Sequence, residues 1–166
     1  RLISKDLHLV AFTVRGDSEW AGKTLAELNL GRRFSIHVAS ILRGNVRINV
    51  PDAREHIYPQ DVLQVIGTDT DMEVFSSELK ASGKVLDDDV AARSEMVLRQ
   101  VIIHEGSPFN RKTIRECGIR ADYHCLIAGV ETKDGKLYQP AVDIPFVTGD
   151  VVWIVGQKDD VALLLK

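Results

Sequence analysis

The residues whose types could do chemistry fall into a few small groups. Gly22-Lys23-Thr24 invites comparison with a phosphate-binding loop, where backbone N–H groups and a lysine cradle a polyphosphate. That loop needs four residues between its first glycine and Gly-Lys-Thr. Gly16 leaves five, and the related stretch Asn110-Arg111-Lys112-Thr113 has no glycine at all. Cys117, His124 and Cys125 could be imagined around a metal, but their spacing matches no metal motif, and both cysteines read as small buried hydrophobes. His8, His37, His56 and His104 show no partner spacing. No Ser/His/Asp or Cys/His arrangement recurs, and no paired carboxylates share a helical face. No Gly-x-Gly-x-x-Gly is present, so these residues contain no dinucleotide-binding half. The reading is of a chain with no catalytic residue and no metal ligand, not an enzyme.

The elements that would position any site are written twice. Tyr58 to Asp71 is a turn, an acidic residue, an apolar strand, a glycine and an acidic helix start, and Val147 to Asp160 repeats it. An ungapped shift that brings Leu9 onto Leu98 also brings Lys23-Thr24 onto Lys112-Thr113 and Glu27 onto Glu116. In the same register Ala39 meets Ala128, Pro51 meets Pro140, Asp61-Val62 meets Asp150-Val151 and Gly67 meets Gly156. Such a register marks a duplication. The expected organisation is one lobe over residues 1–80, a polar linker over 81–94 and a second lobe over 95–166.

Within one lobe, Leu7 to Val14 reads as a strand, with Glu95 to His104 its counterpart. Thr24-x-x-Glu27 and Thr113-x-x-Glu116 are capping boxes that open short helices, with Gly31 and Gly118 placed as helix stops. Ser35 to Arg43 and Val46 to Val50 form a hairpin around Gly44-Asn45, closed by Pro51; Asp134-Gly135 and Pro140 do the same in the second lobe. Asp61 and Asp150 read as turn caps before the last strand. A helix from about Met72 to Leu79 follows, with Val74, Phe75 and Leu79 inward, and Asp160 to Lys166 is its copy. The fold class is α+β: two tandem β-α-β-β-β-α lobes forming an intramolecular pseudo-dimer. A lobe of this size is marginal alone, which favours pairing.

Composition excludes some partners. The net charge of −3 gives no basic face for nucleic acid. No apolar run approaches the roughly 20 residues of a spanning helix, and no signal peptide is visible. Two cysteines without a disulfide framework suit a reducing compartment. The start at Arg1 suggests a segment of a longer protein.

The segment Gly22-Lys23-Thr24-Leu25-Ala26-Glu27-Leu28, the strand end Ser40-Ile41-Leu42-Arg43-Gly44 and the strand Asp61-Val62-Leu63-Gln64-Val65-Ile66-Gly67 resemble the RCK C-terminal (TrkA C-terminal, RCK_C) domain, in tandem over almost the whole chain. The second lobe departs from the pattern at Arg111, where Gly22 stands, and at Thr132, where Arg43 stands. Ile41 to Pro51 is most similar to the soluble tail of bacterial cation/proton antiporters. The resemblance implies a regulatory, ligand-sensing module of a Na+(K+)/H+ antiporter. The alternative is an assembly or dimerisation module, without ligand, of a citrate-type permease, an amino-acid exchanger or a potassium-uptake system. It implies a transmembrane transporter domain in the same polypeptide, a homodimer, and a place on the cytoplasmic side of the inner membrane. No cofactor is required; the implied effector is cyclic di-AMP or another small molecule or ion. Arg43, Asn49 and Pro51 are the candidate ligand residues, with Ile41 and Ile48 as apolar walls for the adenines, and arginine's fork suits a phosphate. A solvated hairpin arginine is the alternative for Arg43.

Overall fold

A computed structural model of the chain describes residues 2, 3, 5–78, 83–85 and 95–165. It resolves into two compact units, Asp6–Met96 and a second made of Arg1–Lys5 with Val97–Lys166.

In the first unit, β-branched and aromatic residues alternate along strand β2 (His8–Val14), and Val10, Phe12 and Val14 point to one face. Helices α1 (Leu25–Leu28) and α2 (Leu30–Phe34) follow. Strands β3 (His37–Arg43) and β4 (Val46–Asn49) make the hairpin, and β5 (Val62–Gly67) leads into helix α3 (Asp69–Glu78). The sheet order is β4-β3-β5-β2-β6, where β6 is Gly83–Val85. Three residues of the expected linker are thus an edge strand, paired to β2 from Phe12↔Val85 to Val14↔Gly83; the remainder of 81–94 lies outside the described residues. The core is aromatic. Phe75 meets Phe12, Phe34 and Trp20 at centroid distances of 4.8, 5.5 and 5.6 Å.

The second unit repeats the plan with strand β7 (Met96–Ile102), helices α4 (Ile114–Cys117) and α5 (Ile119–Tyr123), strands β8 (Cys125–Glu131), β9 (Leu137–Tyr138) and β10 (Val151–Gln157), and helix α6 (Lys158–Leu164). With β1 at Leu2–Ile3, its sheet order is β1-β9-β8-β10-β7. Strand β1 (Leu2–Ile3) supplies the outer edge through Leu2↔Tyr138 and Ile3↔Leu137. The α+β class and the tandem repeat therefore hold. Phe109 and Tyr123 stand where Trp20 and Phe34 stand, with centroids 5.8 Å apart. Ala39 and Ala128 are each the extra residue of a β-bulge between the third and fifth elements of the pattern.

Both capping boxes form. Thr24 Oγ1 accepts from the Glu27 N–H and Thr113 Oγ1 from the Glu116 N–H, each at 3.2 Å, and each glutamate accepts from its threonine's N–H. The helix stops need a correction. Asn29 (φ 50°) ends α1 and Gly118 (φ 65°) ends α4, at matched positions, whereas Gly31 lies inside α2. Asparagine tolerates the left-handed region well enough to do glycine's work there. Val74 is likewise not inward. It is 52% exposed, because Met72 and Phe75 fix the buried face one turn apart and Val74 falls between them; Leu79 lies outside the described residues. Gly67 and Gly156 have a packing role. A Cβ on Gly67 would meet Ile36 Cγ2 at 2.8 Å, and one on Gly156 would meet Cys125 Sγ at 2.6 Å.

Candidate functional site

Antiparallel pairing of β3 with β5 puts Leu42 opposite Val62, so position 43 arrives over position 61. Arg43 follows Ile41 by two residues and points to the same face, at the rim of the core. Its guanidinium grips Asp61 with two bonds of 2.9 Å, Nε to Oδ1 and Nη2 to Oδ2. Nη2 also donates to the His56 carbonyl at 3.1 Å, and Cζ lies 4.6 Å from the Tyr58 ring centroid. The hydrogen bonds to Asp61 raise the Arg43 guanidinium above its ordinary value. Asp61 is 1% exposed, and its Oδ2 also takes the Tyr58 N–H at 2.8 Å, so the expected turn cap is present and a salt bridge is built on it.

The second lobe has the carboxylate without the arginine. Asp150, 5% exposed, caps the matching turn by accepting the Val147 N–H at Oδ2, at 2.9 Å. Its Oδ1 is buried with no hydrogen-bond partner. Thr132 stands where Arg43 stands and donates its hydroxyl to Asp134 instead. A cavity of about 280 Å³ opens there, lined by Val130, Thr132, Tyr138, Ile144, Phe146 and Asp150 among others.

The other predicted site residues are divided by the pleat. Ile41 pairs with Ile48, so both share the core face with Arg43; Ile41 is fully buried and Ile48 packs against the core. Asn49 pairs with Ser40 and lies on the opposite face, with its Oδ1 buried and without a hydrogen-bond partner. Pro51 is buried just past Val50, which takes a left-handed φ of 48°. The five candidates thus sit on one hairpin but on two faces of it. The grip of Arg43 on Asp61 has no local signal in the sequence. The two residues are eighteen apart, and only the strand register, invisible in a single sequence, joins them.

The cysteines are core residues, as expected. Burial pushes the Cys117 thiol up to about 11 and the Cys125 thiol to about 12, leaving both protonated at neutral pH. Among the described residues no group of three or more His, Cys, Asp or Glu side chains is placed to hold a metal ion, and no helix is long and apolar enough to cross a membrane.

The repeating unit is a small α+β lobe with matched capping boxes, bulges and buried turn-capping aspartates. The chain belongs to the TrkA-C domain family, whose model matches residues 9–80 and 98–166. It is 25% identical over 161 residues to the uncharacterized transporter YfbS of Escherichia coli (strain K12), covering 92% of this chain and 26% of that protein. It is 36% identical over 63 residues to the Ktr system potassium uptake protein C of Bacillus subtilis (strain 168), covering 38% of this chain and 28% of that protein. The chain thus spans about a quarter of the length of these curated relatives. Among solved structures it is similar to the GsuK RCK domain, with a TM-score of 0.47 and 10% identity over 95% of this chain and 62% of that one.

Proposed function

We propose that the chain is a non-catalytic regulatory module of a membrane cation transporter, on the cytoplasmic side of the membrane and joined to a transmembrane domain in the same polypeptide. One observation carries the reading: the TrkA-C pattern fills both lobes, and a relative named as a transporter aligns along 92% of the chain. The transporter is of the cation/proton antiporter kind, which the wording of Ile41 to Pro51 supports. The module pairs with a second copy and responds to a small effector.

For the effector the reading takes cyclic di-AMP on the β3–β4 hairpin. Strand β4 is a sheet edge, so a ligand lying along it meets both faces, with Arg43 on one and Asn49 on the other. The Arg43 side chain stays 36% exposed while it holds Asp61, which leaves a cationic surface for a phosphate. The test is a calorimetric titration of cyclic di-AMP into the chain, repeated with Asn49→Ala and Arg43→Lys. Saturable heat that both variants weaken supports the nucleotide site. No heat from a folded sample overturns it and moves the effector elsewhere. Transport by the full-length protein, with and without these residues, tests the regulatory role itself: unchanged flux and unchanged ion response overturn it.

A further inference from the structure

We propose that the second lobe carries a binding site for a small guanidinium compound, in the cavity over Asp150. The argument is an internal comparison. In the first lobe the buried aspartate is satisfied by a guanidinium that the chain supplies itself: Arg43 Nε bonds Asp61 Oδ1 and Nη2 bonds Oδ2, both at 2.9 Å. In the second lobe the same carboxylate is present, equally buried and held by the same turn, and its Oδ1 has no partner. That is the oxygen that in the first lobe takes the arginine Nε. A buried carboxylate oxygen without a donor is costly, and such an oxygen in a native structure calls for a partner.

The space agrees with the chemistry. Thr132 removes the arginine stem and leaves about 280 Å³, near the lower end for small-molecule sites. Its walls are apolar: Val130, Ile144, Pro145 and Phe146. The His56 carbonyl is the second acceptor for the Arg43 guanidinium, and Pro145, at the matching position, is among the residues that line the cavity. Ile144, which lines the cavity and is 66% exposed, offers an apolar rim for an aliphatic tail. Lys133 runs its stem past Gly149, yet among the described residues no Lys, Arg or His nitrogen lies within 4.0 Å of the Asp150 carboxylate. A planar fork with two parallel donors fits a carboxylate that an ammonium would meet at one point only. This site is independent of the nucleotide reading, since it uses none of the hairpin residues of the first lobe.

The test is titration of agmatine into the chain, followed by calorimetry and by amide chemical shifts, with putrescine as the control that keeps the amine and lacks the guanidinium. Agmatine is expected to bind with shifts at Thr132, Phe146 and Asp150, and putrescine to bind at least about tenfold more weakly. Asp150→Asn should weaken agmatine about tenfold or more, and Thr132→Arg should abolish binding while raising the melting temperature, by filling the site from within. Arg43→Ala should create a second agmatine site of the same kind in the first lobe. Absence of agmatine binding to the folded chain would overturn the proposal. So would equal binding by putrescine, or undiminished binding by the well-folded Thr132→Arg variant. If Asp150→Asn fails to fold, the Thr132→Arg result decides.

Discussion

Arg43 and Asp61 form a two-pronged ion pair, at 2.9 Å for each prong, between a carboxylate that is 1% exposed and a guanidinium that is 36% exposed. Its counterpart lobe keeps the acid and omits the base. The pair is therefore a local stabiliser that the fold can live without, which bounds its energy. Removing one member of a fully buried pair costs about 3–5 kcal/mol. Here water reaches the arginine side, so Arg43→Ala should destabilise the chain by about 1–3 kcal/mol. Adding Asp61→Asn to Arg43→Ala should cost less than the sum of the two single changes. Urea unfolding of the three variants measures both.

Gly67 at the end of β5 and Gly156 near the end of β10 let those strands pack against residues 36 and 125. Either Gly→Ala change forces an overpacked contact and should cost about 1–3 kcal/mol. In the second lobe the closest obstacle is the Cys125 sulfur at 2.6 Å, with Val161 Cγ2 next at 3.1 Å, so Gly156→Ala with Cys125→Ala should be more stable than the sum of the single effects predicts. Thermal unfolding of the three variants checks this.

Both cysteines lie in the second lobe, buried, with thiols pushed up to about 11 and about 12. Thiolate is the reacting form. At pH 8 a disulfide reagent should modify neither residue at the rate of a model thiol, and modification should require opening of that lobe. Modification within the dead time under native conditions would contradict this burial.

Hydrogen bonds from the threonine backbone N–H and then the hydroxyl hold Glu27 and Glu116 below the ordinary carboxylate value of 4.5. A depressed folded-state value means the ionised form favours folding. The contribution is whole above about pH 4.5 and is lost as pH falls through the lowered values. Side-chain carboxyl NMR titration should find both glutamates low, and Thr24→Ala should return Glu27 alone toward its ordinary value. Loss of the threonine cap should cost about 1 kcal/mol at neutral pH.

The duplication made much of the fold readable, because one copy can reveal what the other hides. Gly22 and Arg111 both take positive φ, as do Asn29 and Gly118, and Gln60 and Gly149. In each pair the glycine in one lobe announces a left-handed residue in the other. Ser35 and His124 share the same conformation with no glycine in either copy, so that helix end was silent. Capping boxes were legible because they are local in sequence. The partner of Asp61 was not, since it comes from strand register. The exchange of Arg43 for Thr132 was visible as a lost cation; the carboxylate and cavity it uncovers needed three dimensions. Strands β1 and β6, at two and three residues, are too short to carry a periodic signal, and pair through their backbones.

The pairing of Leu2 with Tyr138 has a consequence for the order of assembly. The first lobe is an insertion within the second, whose first strand is made before the insertion and whose remaining strands are made after it. During synthesis, Asp6–Met96 can fold as soon as it emerges, by contacts close in sequence. Strand β1 has to wait unpaired until β9 exists, closing a loop of well over a hundred residues. Such closures come late, because their entropy is lost before any contact is gained. The second lobe's outer edge should therefore be the last part of the chain to form.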